Sequence, residues 1–266
     1  AAAQAVAQPG PADIKLAGQA VLKLADTYLF IPGPEGTRML RAMGNKSADV
    51  IGLVFPKDDG RSWFAALRYV SSGYIKDDDA RDWKADEMLE SIRANVEESN
   101  AERRRIGMPE IELGGWVERP TYDAAAHRLV WSVSSQPKRS SDPADRSINY
   151  NTYALGREGY LSLNWVTDLD KIEGQKSEAR ALLAALEFDA GKRYADFDSA
   201  TDHVAEYGLA ALVAGAAAKK LGLFAVMAAF LLKFWKIGLV AVLALGGPLA
   251  KRLRNRKNKT DPPPAA

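Results

Sequence analysis

The chain has 266 residues, room for one ordinary domain with extensions, and no cysteine. The lack of cysteine excludes disulfides, thiol nucleophiles and thiolate metal sites, and two histidines, His127 and His203, are too few and too far apart in sequence for a histidine-rich metal site. The net charge of +2 is unevenly spread: residues 219–266 hold ten Lys or Arg and one Asp, a balance of +9, which leaves residues 1–218 at −7. An acidic body with a basic end argues against nucleic acid as a partner and for a tail beside a membrane.

Residues 1–12 are rich in Ala, Pro and Gly and are expected to be disordered. The chain starts without Met, and Ala1–Gln8 holds overlapping A-x-A patterns like a signal-peptidase site, so a mature, exported N-terminus is expected. Ile14–Leu16, Ala20–Leu24 and Thr27–Ile31 alternate as strands do. Pro32–Gly36 reads as a turn before a short helix over Thr37–Met43, and Val50–Phe55 with Trp63–Val70 reads as a hairpin.

One long soluble helix is expected from Trp83 to Arg105. Trp83, Met88, Leu89, Ile92 and Val96 recur at helical spacing, Asp79 or Asp82 suits the N-cap, and Arg103–Arg105 suit the C-terminal dipole. Strands resume at Glu110–Glu118, His127–Ser134, Ile148–Leu155 and Tyr160–Val166, the last two joined by a Gly156–Gly159 turn. A second helix is expected over Asp168–Leu186, and Ser199 with Asp202 resembles a capping box opening a helix toward the C-terminus. Mixed rather than alternating elements make the fold class α+β, an antiparallel-rich sheet with packed helices.

Several linked motifs stand out. They are Asn100-x-x-Arg103-x-x-x-Gly107, Gly114-Gly115-Trp116, Pro120-x-Tyr122-Asp123 with Leu129-x-Trp131, and Asn149-Tyr150-Asn151-Thr152 running on to Leu155-Gly156-Arg157-x-Gly159. Gly191-x-Arg193-Tyr194-x-x-Phe197, Tyr207–Ala210 and Lys219-Lys220 complete the set. With these, residues 20–250 resemble a bacterial family of membrane-anchored proteins that carry a domain of unknown function. The resemblance implies export and a C-terminal anchor, and brings no activity, substrate or catalytic residue. The element order after Gly114 also resembles the small α/β/α sandwiches of the photosystem extrinsic-protein and Mog1 type, a fold analogy that says nothing of function.

No nucleophile elbow, zinc-protease, Walker A or dinucleotide fingerprint occurs, so no catalytic residue is assigned. Asp77–Asp79 and Asp196-x-Asp198-x-x-x-Asp202 hold hard oxygen ligands, but both immediately precede helix starts, where Asp caps; no metal and no cofactor are expected. The five tryptophans Trp63, Trp83, Trp116, Trp131 and Trp165 fall in strands or on an apolar helix face and are read as core rather than as a sugar platform. Arg157, at a hairpin tip, is the polar residue marked as a surface contact, with pairing to an acidic neighbour as the alternative.

The C-terminal part is the most informative. The expected organisation is a disordered start (1–12), an exported α+β domain (13–198), a small-residue juxtamembrane helix (199–220), a transmembrane anchor (221–250) and a basic cytoplasmic tail (251–266). Leu221–Gly247 is apolar enough to cross a hydrocarbon core of about 30 Å, and the Lys/Arg run from Lys251 places the tail in the cytoplasm. Read in sevens, Gly208, Ala211, Gly215, Ala218, Gly222, Ala225 and Ala229 form a small-residue stripe of the kind that lets membrane helices approach closely. Lys233 and Lys236 fall mid-span on the same side, where charge needs a protein interior, water or a partner carboxylate. The expected partners are therefore the bilayer and either further copies of the chain or a membrane protein with an intramembrane carboxylate. The functional expectation is a single-pass envelope interaction or assembly module. An envelope hydrolase using unidentified carboxylates, and an oligomeric transport or pore-like assembly, are the alternatives.

Overall fold

A computed structural model describes residues 6–43, 49–58, 60–105, 107–140 and 142–214. The strands are β1 (Gln8–Pro9), β2 (Ala12–Leu16), β3 (Ala20–Leu24), β4 (Tyr28–Pro32), β5 (Gly52–Pro56), β6 (Phe64–Val70), β7 (Ile111–Asp123), β8 (Arg128–Pro137), β9 (Ser147–Leu155), β10 (Tyr160–Asp168) and β11 (Leu186–Phe188). The helices are α1 (Gly33–Ala42), α2 (Ala85–Arg105), α3 (Ile172–Ala184) and α4 (Leu209–Ala214). Among the described residues the fold is an antiparallel α+β one. Its main sheet has the order β1-β4-β5-β6-β10-β9-β8-β7, and a smaller sheet has the order β11-β3-β2.

Alternation along the central strands assigns the two faces of the main sheet. Leu161, Leu163 and Trp165 of β10 share one cluster with Ile148, Tyr150 and Ala154 of β9 and with Ala65 and Leu67 of β6. The same cluster takes Ile172, Ala179, Leu182 and Leu183 from α3 and Ile14, Leu16, Leu22 and Leu24 from the small sheet, so these cover that face. Trp165, fully buried, stacks on Trp63 with ring centroids 3.6 Å apart. The opposite face carries helices toward both ends, and Leu129, Trp131 and Val133 of β8 are buried on it. At one end Leu40 of α1 packs with Leu53 and Ala66. At the other, α2 lies against β7, and Trp116 Nε1 donates to the Ala85 carbonyl at 3.2 Å.

Several expectations are corrected. Residues 8–12 are built into the fold: β1 pairs with β4, and Gly10 N–H donates to the Tyr28 carbonyl at 3.0 Å. α1 begins at Gly33, inside the expected turn, because Pro34 suits a first helical turn. The second helix is shorter than expected, and Leu186–Phe188 leave it at once to pair with β3. The helix expected from Ser199 does not form over 199–208. Asp202 is engaged by Arg157 from another part of the chain, and helix starts only at Leu209. Asp79, expected to cap α2, caps α4 instead.

Among the described residues no helix is long and apolar enough to cross a membrane. The expected span 221–250 and the basic tail lie outside the described residues, as do Gly215, Ala218, Gly222, Ala225, Ala229, Lys233 and Lys236.

Candidate functional site

Four segments meet beside the β7–β8 and β9–β10 hairpin tips. They are residues 72–79 after β6, the β7–β8 hairpin tip around Tyr122 and His127, the β9–β10 tip at Arg157, and a strap over 189–208 that runs from β11 to α4. The register Tyr122↔Leu129 and Asp123↔Arg128 brings Tyr122 and His127 together across the hairpin end. Tyr122 Oη donates to Asp77 Oδ2 at 2.7 Å and lies 3.2 Å from His127 Nδ1. Because the phenol proton goes to Asp77, Nδ1 is assigned as the donor to the phenol oxygen, which leaves Nε2 with its lone pair. No hydrogen-bond partner for Nε2 occurs among the described residues, and the imidazole side chain is 30% exposed. His127 has φ 51°, a left-handed conformation uncommon for a residue with a side chain. Its carbonyl is held by the Leu155 N–H at 3.0 Å.

The strap is fastened by rings. His127 stacks on Tyr194 at 4.1 Å, Tyr194 on Tyr74 at 4.4 Å, and Tyr74 on Phe197 at 3.9 Å. Tyr194 Oη donates to the Ile75 carbonyl at 2.8 Å. Burial, with hydrogen bonding to Asp77 second, raises the Tyr122 pKa; burial likewise raises that of Tyr194, with its bond to Tyr74 second. Both therefore stay phenols. His203, the other histidine, contributes backbone here: Tyr74 N–H donates to its carbonyl at 2.8 Å, and Ala205 N–H returns a bond to the Tyr74 carbonyl at 2.8 Å.

Arg157 is bound within this corner. Its Nε donates to Asp202 Oδ2 at 2.7 Å, its Nη2 to Oδ1 at 2.8 Å, and its Nη1 to the Gly191 carbonyl at 3.3 Å. Its acidic partner is Asp202, whereas Glu158 binds Lys192 at 2.7 Å. The two parallel bonds, helped by the Asp198 N–H, hold the Asp202 carboxyl down to a pKa of about 2.

The strap ends at a fixed joint. Asp79 accepts from Leu209 N–H at 3.1 Å and from Ala210 N–H at 3.0 Å, and Asn95 Nδ2 donates to the Ala214 carbonyl at 2.8 Å. A Cβ on Gly208 would lie 2.4 Å from Asp79 Oδ2. Gly208 and Ala211, the first two members of the small-residue stripe, therefore face the domain itself: Ala211 lines a groove with Trp83, Met88 and Ser91.

The three carboxylates of 77–79 do not gather. Asp77 binds Tyr122, Asp79 caps α4, and Asp78 is exposed. Among the described residues no group of three or more acids, histidines or cysteines could hold a metal ion. Sequence reasoning missed the Asp77–Tyr122–His127 chain and the four-ring stack. Their members lie up to 123 residues apart, between Tyr74 and Phe197, so no local spacing betrays them.

The corner thus joins residues from four of the sequence motifs, and their bonds run mostly inward. The chain matches the family described as "Protein of unknown function (DUF2167)" over residues 8–243, and it belongs to that family. No curated protein matches it. The solution structure of cyanobacterial PsbP (CyanoP) from Synechocystis sp. PCC 6803 is similar with a TM-score of 0.39 and 8% identity, over 69% of this chain and 91% of that one. A likeness that loose carries no argument.

Proposed function

We propose that this protein is a single-pass envelope protein, anchored by residues 221–250, whose domain lies outside the cytoplasm and serves as an interaction or assembly module. The observation that carries the reading is the joint at Asp79. Its carboxylate caps α4, Gly208 leaves it room, and Asn95 receives the far end, so α4 is fixed to the domain up to Ala214. A free tether would need none of this. The apolar stretch 221–247 and the Lys/Arg run after it supply the anchor and its orientation. The remaining stripe, with Lys233 and Lys236, supplies the surface on which copies, or a partner carrying a carboxylate, assemble. Protease added to intact spheroplasts should digest the domain and spare a tag after residue 266. Release of the chain by carbonate washing, or a tag digested with the domain, overturns the reading.

A second reading has one observation in its favour. Nε2 of His127, without a partner among the described residues and backed by Tyr122 and Asp77, is placed to exchange a proton with a bound molecule. The hydrolase alternative then requires that His127→Asn, which tolerates the left-handed backbone, abolish the protein's role in the cell.

A further inference from the structure

We propose that His127 is a proton sensor whose charge is read out at α4, so that the hold on this helix tightens in mild acid and relaxes above neutrality. His127 ends the β7–β8 hairpin with φ 51°, a backbone conformation that Gly or Asn ordinarily supplies. An imidazole kept there against backbone strain points to a role for the side chain. Its titratable neighbours come from each element packed around it. Asp77 and Tyr74 belong to residues 72–79, Tyr122 and Asp123 to the hairpin itself, and Tyr194 to the strap. Arg128, the next residue, commits its guanidinium to the Leu183 and Leu186 carbonyls, and β9 contributes the Leu155 N–H.

Protonation at Nε2 breaks none of the bonds in this corner. Nδ1 still donates to the Tyr122 oxygen, and Tyr122 still donates to Asp77. What is added is a positive charge, with Nδ1 at 3.7 Å from Asp77 Oδ2 and the imidazole ring stacked at 4.1 Å on Tyr194. The first attraction draws the hairpin tip onto residues 72–79, and the second draws it onto the strap. Histidine is the side chain whose charge ordinarily changes between about pH 5 and 8, whereas carboxylates and phenols keep theirs there. Burial holds Tyr122 and Tyr194 further in the phenol form.

Both attractions lead to α4. Ala80 N–H donates to the Asp77 carbonyl at 3.3 Å, closing a turn that carries Asp77 and Asp79 together. Asp79 in turn accepts from the Leu209 and Ala210 N–H groups. The strap is laced to the same segment, because Tyr74 bonds through its backbone to His203 and Ala205 and stacks on both Tyr194 and Phe197. It then runs through Gly208 directly into α4. A hold gained at His127 therefore reaches the first turn of α4 from two sides. His203, the other histidine, joins through its carbonyl and so serves as the control.

The sensor needs neither the anchor nor a partner, so a negative result leaves the interaction-module reading untouched. The full chain in mild detergent is followed by hydrogen exchange from about pH 5 to about pH 8, each rate taken relative to that of an unstructured peptide at the same pH. Protection of the Leu209 and Ala210 amides should fall about threefold as pH rises through the histidine range, the value of a half-exposed ion pair. His127→Asn, which tolerates the left-handed backbone, should abolish the fall, and His203→Gln should keep it. Protection that stays level in the native chain overturns the proposal, as does a fall that persists in His127→Asn or disappears in His203→Gln. Should His127→Asn fail to fold, the native chain decides alone. The imidazole resonances of His127 and the amide resonances of Leu209 and Ala210 must then share one titration midpoint, and separate midpoints overturn the proposal.

Discussion

Arg157 holds Asp202 through two parallel bonds, Nε to Oδ2 at 2.7 Å and Nη2 to Oδ1 at 2.8 Å, across 45 residues of sequence. The pair ties the β9–β10 tip to the strap that leads into α4. Since the Asp202 carboxyl titrates at about 2 in the folded chain, below its ordinary value of 3.8, the unfolded chain binds the proton more readily. Stability from this group is therefore fully present above about pH 4 and is lost as pH falls toward 2. Asp202→Asn removes that dependence. Melting temperatures from pH 6 to pH 2 should show a gap between native protein and variant that narrows below pH 4, whereas parallel curves would refute the assignment.

The joint at Asp79 makes a prediction about coupling. Asp79→Ala removes the cap of α4 and should cost about 1 kcal/mol. Gly208→Ala pushes a methyl group against Asp79 Oδ2, and the carboxylate can yield only by giving up Leu209 and Ala210. Both substitutions lose the same cap, so the double variant should be little worse than either alone. Hydrogen exchange at Leu209 and Ala210 reports the loss directly. Additive effects would separate the two residues.

These examples show which parts of the chain could be read in advance. The period of Met88, Leu89 and Ile92 marks α2, and all three are buried. The core reading of Trp63 and Trp165 holds, because alternation along β10 points Trp165 at α3 and Trp63 stacks on it. Capping was misread where the capped helix is distant in sequence: Asp79 stands just ahead of α2 yet serves a helix 130 residues away. Ser199 and Asp202 have local capping spacing, but a bidentate guanidinium outcompetes a local N-cap for the carboxylate. β11 carried no signal, since Leu186–Phe188 follow α3 without a Gly or Pro. The site was least legible because stacking of Tyr74, Tyr194, Phe197 and His127 depends on tertiary closeness alone.

Tyr122 tests the hydrogen-bonded chain at the corner. Tyr122→Phe keeps the ring and removes the hydroxyl, leaving Asp77 without its donor and His127 Nδ1 without its acceptor. The expected cost is about 1–3 kcal/mol, measured by urea unfolding. His127→Asn, which tolerates the left-handed backbone, should cost less than His127→Val, which does not. Equal effects of Asn and Val would mean that the backbone at 127 is not constrained.

The lysines of the proposed span test assembly. A lysine at mid-span costs roughly 2.5–3.5 kcal/mol on the insertion scale, so Lys233 and Lys236 are retained at a loss unless a polar interior or a partner carboxylate receives them. Lys233→Leu with Lys236→Leu would insert more readily yet lose that contact. Detergent-stable oligomers, or a copurifying membrane partner, should therefore weaken while membrane insertion persists. Ala225→Leu with Ala229→Leu, which widens the small-residue stripe without touching charge, should weaken assembly as well if the helices approach closely along it. Loss with the lysine pair alone would point to a partner carboxylate, loss with the alanine pair alone to backbone packing. Unchanged assembly in both would remove the C-terminal stretch as an assembly surface and leave it as an anchor.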